Sequence, residues 1–121
     1  MALHDAQAEN VQNARGHLCV LVLTETQAED VERNRILRRK WFGEGWSVPV
    51  KNSLGAAKSA FRGAGKNSPS KVIVFYVRYE MYHDWVHSDK MRDCPWLDGY
   101  RVLFDIVLNN VDPQYELYKF E

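Results

Sequence analysis

Two continuous apolar runs limit what this 121-residue chain can fold into. His17–Thr24 reads HLCVLVLT and Lys71–Tyr79 reads KVIVFYVRY, and both have the length and the β-branched content of strands. A strand that is apolar on both faces is typical of the middle of a sheet, where other layers cover each side. The sequence therefore predicts a sheet with these two segments near its centre.

Three short helices are predicted between the strands. Thr26 lies three residues before Glu29, a spacing that forms a capping box and favours a helix start at this point. Asn52 or Ser53 can cap a second, small-residue helix that can pack closely on a sheet. The predicted helices are 27 to about 38, 53 to about 61, and 80–89.

The remaining strands decide the fold class. They are predicted at 46–50, 100–108 and 114–120. The last two are separated by the turn residues 109–113, which predicts a C-terminal β-hairpin. Together the elements predict an α+β domain around a strongly twisted mixed or antiparallel sheet. A doubly wound parallel sheet is the alternative, but the last two strands lack the helix that a parallel crossover needs.

The length and the charge distribution restrict the organisation of the chain. A chain of this size is expected to form one domain, here residues 17–121, after a polar tail at 1–16. Sixteen basic and sixteen acidic residues balance, which argues against a dedicated DNA-binding domain. Residues 32–71 nevertheless carry ten basic side chains against two acidic ones, which is consistent with a solvated basic face or a phosphate site.

No signal points to a membrane, a secretory leader or a metal. No apolar run reaches the roughly 18 residues that a membrane-spanning helix needs, and a cytoplasmic, reducing setting is expected for Cys19 and Cys94. His83 and His87 are spaced i, i+4 and can share one helix face. This pair fits two surface histidines better than a zinc site, so no metal is expected.

Five short motifs occur in a recognisable order along residues 18–121. Together they resemble the motif series of small fungal and bacterial ADP-ribosyltransferase-like domains. In that series, a first strand leads into a helix, a glycine turn precedes a second strand, an Ala-Ala helix follows, and a Tyr-containing strand ends the domain. The matching segments are VLVLT at 20–24, AEDV at 28–31, FGEGWSV at 42–48, SLGAA at 53–57 and QYELY at 114–118.

The resemblance implies a cleft that binds NAD and transfers ADP-ribose through an oxocarbenium-like state, which a carboxylate stabilises. The catalytic glutamate position falls on Gln114, and Glu116 lies two residues further along the same strand face. The position of the ribose-binding His or Arg falls on Val22 or Leu23. The implied protein therefore binds NAD or a related nucleotide and has either lost catalysis or relies on Glu116. The implied cofactor-binding residues are Thr24, Arg38, Trp46, Lys58 and Tyr115.

Two other functions remain open at this point. One is a non-enzymatic protein-interaction domain of the effector, immunity or adaptor type, anchored by exposed aromatic residues such as Tyr82, Trp85 and Trp96. The other is an RNA-binding or nuclease domain that uses the basic and aromatic segment 33–46. The expected partner is thus a nucleotide or a protein, with nucleic acid less favoured and the oligomeric state open.

Overall fold

A computed structural model describes residues 15–45, 47–64 and 68–121 of the chain. Most of the predicted tail, together with Trp46 and residues 65–67, lies outside the described residues. The described part forms α-helices and β-strands in an α+β arrangement, as predicted. In chain order they are β1 (His17–Thr24), α1 (Glu25–Asn34), β2 (Ile36–Leu37), β3 (Val48–Lys51), α2 (Leu54–Ala64), β4 (Pro69–Val77), α3 (Tyr79–His87), β5 (Met91–Cys94), β6 (Gly99–Val102), β7 (Ile106–Val107), α4 (Leu108–Val111) and β8 (Glu116–Lys119).

Six strands form one antiparallel sheet in the order β5-β6-β3-β1-β4-β8. The two long apolar strands are adjacent in its middle, and they pair from His17 opposite Val77 to Thr24 opposite Pro69. Their predicted central position is confirmed. Because every pairing in this sheet is antiparallel, the alternative of a doubly wound parallel sheet is excluded.

The sheet is covered on both faces, which explains why β1 and β4 are apolar throughout. Successive side chains of a strand point to opposite faces, so Cys19, Leu21 and Leu23 share one face of β1. That face belongs to the larger core, to which α1 contributes Ala28 and Val31. The opposite face is covered by α2, which buries Ala57. Each fully buried large apolar side chain of these layers contributes roughly 1.5–3 kcal/mol to folding.

The C-terminal third differs from the prediction in its strand pairing. A hairpin is present, but it is formed by β5 and β6, and β8 pairs with β4 at the opposite edge of the sheet. The predicted strand 100–108 is interrupted after Val102, and in the interruption Asp105 accepts a hydrogen bond from the backbone N–H of Arg39 at 2.9 Å. Beyond it, Ile106 pairs with Leu37 in a separate two-stranded sheet, where both are fully buried.

The first helix begins and ends earlier than predicted. Its capping box uses Thr24 and Gln27 rather than Thr26 and Glu29: the Thr24 hydroxyl accepts from Gln27 N at 3.3 Å, and the Gln27 amide oxygen accepts from Thr24 N at 3.0 Å. The helix stops at Asn34 because Arg35 adopts a left-handed conformation with φ of 54°. The other two predicted helices are confirmed as α2 and α3, and α4 is an additional helix of one turn.

Two glycine substitutions test the close packing of the hairpin. A Cβ at Gly99 would lie 2.1 Å from the carbonyl oxygen of Val50 on the neighbouring strand, whereas one at Gly55 in α2 would meet no atom within 4 Å. Gly99→Ala is therefore expected to lower the free energy of unfolding by about 2 kcal/mol. The matched control Gly55→Ala should raise it by about 0.5–1 kcal/mol. Urea denaturation measures both, and an unchanged stability of Gly99→Ala would contradict this packing.

Candidate functional site

A cleft of about 400 Å³ opens where β4 ends and the chain turns from α4 towards β8. We call it the Arg15 cleft. Its wall is unusually rich in side chains that donate hydrogen bonds, namely two arginines and three carboxamides. The lining residues are Arg15, Tyr76, Arg78, Asn109, Asn110, Val111, Asp112, Pro113 and Gln114.

The carboxylate of Asp112 organises this cleft. It is 7% exposed, and it accepts hydrogen bonds from Arg15 Nη2 at 3.0 and 3.2 Å, from Tyr76 N at 2.9 Å and from Gln114 N at 3.0 Å. A buried carboxylate is tolerated when its oxygens are satisfied in this way. One side chain thus joins the N-terminal segment, the end of β4 and the turn that carries Gln114.

The electrostatics of the Arg15 cleft favour an anion. The guanidinium carbon of Arg15 lies 4.4 Å from the centroid of the Tyr76 ring, a cation–π contact that helps to hold the charge in place. The two positive charges of Arg15 and Arg78 exceed the single negative charge of Asp112. Arg78 also immediately precedes α3, so the positive N-terminal end of that helix lies beside the cleft.

Of the two predicted catalytic residues, Gln114 lines this cleft and Glu116 does not. Glu116 lies on β8 opposite Val74, and its carboxylate accepts a hydrogen bond from the Tyr118 hydroxyl at 2.5 Å. Burial and the neighbouring Glu116 raise the pKa of Tyr118 to about 12. Glu116 is absent from the cleft lining, and its carboxylate is already engaged by Tyr118.

None of the four predicted cofactor-binding residues that the structure describes lines the cleft with Gln114. Lys58 donates to the backbone oxygen of Glu121 at 3.0 Å, and Tyr115 packs against the larger core. Leu18 pairs with Tyr76 of the Arg15 cleft, and Thr24 lies six residues further along β1. At the rise of a β-strand, this spacing places Thr24 roughly 20 Å from the Arg15 cleft. Trp46, the predicted stacking residue, lies outside the described residues.

Thr24 instead lines a second cleft of about 430 Å³, beside α1, together with Trp41. The charged residues of its wall are Glu29, Asp30 and Arg33, so the acidic groups outnumber the basic one. Arg38 lies next to this cleft because its Nε donates to Asp30 at 2.6 Å, and this bond holds the pKa of Asp30 below its ordinary value. With Arg38 counted, the acidic and basic groups of this cleft balance, so it lacks the excess of positive charge that suits the Arg15 cleft to phosphate.

Sequence reasoning missed Arg15, Arg78 and Asp112. A signal for Asp112 was present, because two asparagines and an Asp-Pro pair in 109–113 concentrate side chains that bond to nearby backbone. Nothing in the sequence indicated that Arg15 would reach this turn, since the two are separated by 97 positions along the chain.

A cluster of aromatic rings at the start of β1 was also missed. His17 stacks on Tyr82 with ring centroids 3.9 Å apart, and His17 Nδ1 lies 3.2 Å from the Tyr100 hydroxyl. The predicted aromatic patch is therefore divided: Tyr82 stacks here, Trp85 packs edge-on against Phe104, and Trp96 is exposed.

Comparison with family models, with curated proteins and with solved structures finds no match for this chain. Within the described residues, no three His, Cys, Asp or Glu side chains form a group that could hold a metal ion. No helix of the described ranges is long and apolar enough to cross a membrane.

Removal of the Asp112 carboxylate tests its role in the Arg15 cleft. Asp112→Ala removes an acceptor of the buried Tyr76 N–H and the carboxylate that pairs with Arg15. We expect the free energy of unfolding to fall by about 2 kcal/mol. The exposed Glu29→Ala serves as the control and should change it by less than about 0.5 kcal/mol. Equal denaturation midpoints for the two variants would contradict the role of Asp112.

The His17 cluster predicts a pH dependence of stability. Burial lowers the pKa of His17 below 6.5, and the nearby carboxylate of Asp93 only partly opposes this shift. The unfolded chain therefore takes up a proton at His17 before the folded protein does, so stability falls as the pH drops below 6.5 and levels off below the folded pKa.

Thermal denaturation between about pH 8 and about pH 5 measures this effect. His17→Gln should reduce the slope of Tm against pH near pH 6, whereas His83→Gln on the exposed side of α3 should retain it. A slope that is the same in wild type and His17→Gln would show that His17 is not responsible.

Proposed function

We propose that this chain is an ADP-ribosyltransferase-like domain that binds NAD or a related nucleotide in the Arg15 cleft. The observation that carries the proposal is the position of Gln114. The motif resemblance assigns the catalytic carboxylate to this residue, and Gln114 lines the cleft together with Arg15 and Arg78. The proposed nucleotide site therefore coincides with the first residue of the last motif.

The charges support a phosphate ligand. Arginine presents a planar fork of donors that matches two phosphate oxygens at once, and this arrangement is stronger than a neutral hydrogen bond. Arg78 is exposed at the cleft, while Arg15 is held in place by Asp112 and Tyr76. We assign the direct phosphate contact to Arg78. Arg15 would contribute a positive charge at a fixed position in the cleft.

The remaining lining supports a nucleotide rather than a bare phosphate ion. The carboxamides of Asn109, Asn110 and Gln114 can donate to and accept from a ribose hydroxyl or a nicotinamide group. A volume of about 400 Å³ lies within the range of sites that bind small organic ligands.

The same residues argue for binding without efficient transfer. A neutral carboxamide at Gln114 supplies no negative charge to an oxocarbenium-like state. The carboxylate of Glu116 accepts from Tyr118 and does not line the cleft. We therefore propose that the protein senses or sequesters its nucleotide, and that any release of nicotinamide is slow.

Titration calorimetry with NAD tests the proposed binding. Arg78→Ala should weaken the affinity for NAD and for ADP-ribose roughly tenfold, because one charge-assisted hydrogen bond to phosphate is lost. Arg33→Ala is the matched control, since Arg33 is an exposed arginine that lines the second cleft. If Arg33→Ala weakens NAD binding and Arg78→Ala leaves it unchanged, the ligand binds in the second cleft and the proposal is overturned. The absence of binding at millimolar NAD would also overturn it.

A further inference from the structure

The hairpin formed by β5 and β6 carries two like charges directly opposite each other. Arg92 pairs with Arg101 across the two strands, and both side chains are exposed. Like charges in this position destabilise a sheet. Asp89 offers little compensation, because it lies 3.9 Å from Arg92 and both side chains are largely in solvent. Arg101 forms no ion pair with any residue that the structure describes.

A third cation lies on the same face of the sheet. Arg101 is opposite Pro49 on β3, and Lys51 follows two positions further along that strand. Lys51 is only 9% exposed. Burial lowers its pKa and Arg101 lowers it further, while the carboxylate of Asp98 on the hairpin partly opposes both effects. Its ammonium group donates to the backbone oxygen of Leu97 at 3.0 Å, so Lys51 also fastens the tip of the hairpin to the sheet.

The tip of the hairpin presents an exposed tryptophan on a backbone that is held in place. Trp96 is 77% exposed. The turn that carries it is closed by a hydrogen bond from Asp98 N to Pro95 O at 3.1 Å and joined to β3 by one from Asn52 N to Asp98 O at 2.8 Å. A large aromatic ring on an ordered turn is available for stacking at little additional cost in backbone entropy.

We propose that this hairpin binds single-stranded nucleic acid, with a base stacked on Trp96 and adjacent phosphates bound by Arg92 and Arg101. An anion between the two arginines would remove the repulsion that the free protein bears. An acidic peptide could neutralise the same charges, but it brings no base to stack on Trp96. Cations beside a stacking aromatic residue are the usual means of binding single strands.

This site is independent of the Arg15 cleft. The hairpin of β5 and β6 lies at one edge of the sheet, whereas the cleft lies at the end of β4, and β3 and β1 lie between them. The failure of one proposal would therefore leave the other intact. The site also differs from the basic segment 33–46, in which Arg38 is paired with Asp30 and the Arg39 side chain donates to Leu103 O at 3.1 Å.

Fluorescence anisotropy with labelled oligo(rU) and oligo(dT) tests the proposal, and the two probes separate an RNA ligand from a DNA ligand. Trp96→Ala should weaken binding of the preferred strand roughly tenfold through loss of one stacked base. Arg92→Gln and Arg101→Gln should each weaken it as well. Each should also reduce the slope of log affinity against log salt concentration by about 0.7, the value for one phosphate contact.

A second measurement separates ligand binding from a structural role. Arg101→Gln removes one of two repelling charges, so we expect its Tm to rise while its affinity for the oligonucleotide falls. The double variant Arg33→Gln/Arg35→Gln is the control, because it removes two exposed arginines, one in α1 and one just after it. It should bind the oligonucleotide like wild type.

Three results would overturn the proposal. One is the absence of oligonucleotide binding at low salt. Another is binding that the Arg33→Gln/Arg35→Gln variant loses and Trp96→Ala retains. The third is equally tight binding of poly-glutamate, which would indicate an acidic protein partner instead.

Discussion

The antiparallel pairing of β1 with β4 is the contact on which the rest of the molecule depends. It is the longest pairing among the described strands, and it is buried on both faces from Leu18 to Leu23. Every other strand of the main sheet attaches on one side or the other of this pair. The two ends of the pair also separate the two clefts: Tyr76 lines one, and Thr24 lines the other about 20 Å away.

The central part of the fold could be predicted because its signals are local and strong. Apolar runs with β-branched residues and capping residues at helix starts can be recognised without knowing any distant contact. The C-terminal pairing could not be predicted in the same way. An Asn-rich turn followed by a strand at 116–119 fits a hairpin equally well, and only the vacant edge of β4 decides that β8 pairs there instead. Likewise, the contact of Asp105 with Arg39 spans 66 positions and is invisible in the sequence.

The candidate site, like the fold, could be predicted only in part. The motif series pointed to Gln114, and this residue does lie in a cleft rich in arginine and carboxamide side chains. The resemblance also implies five further residues that contact the nucleotide. Of these, Thr24 and Arg38 lie at the second cleft, and Lys58 is bonded to the chain end. Arg15 is positioned by Asp112, whose three hydrogen-bond donors come from three separate segments of the chain.

The most direct test of the nucleotide site is an NMR titration of isotope-labelled protein with NAD, followed through the side-chain amide signals. Asn109, Asn110 and Gln114 line the Arg15 cleft, whereas Asn34 lies at the second cleft and donates to Asp30 at 2.6 Å. We expect saturable shifts of the first three signals and an unchanged signal for Asn34. Shifts of Asn34 alone, or no shifts at millimolar NAD, would contradict it.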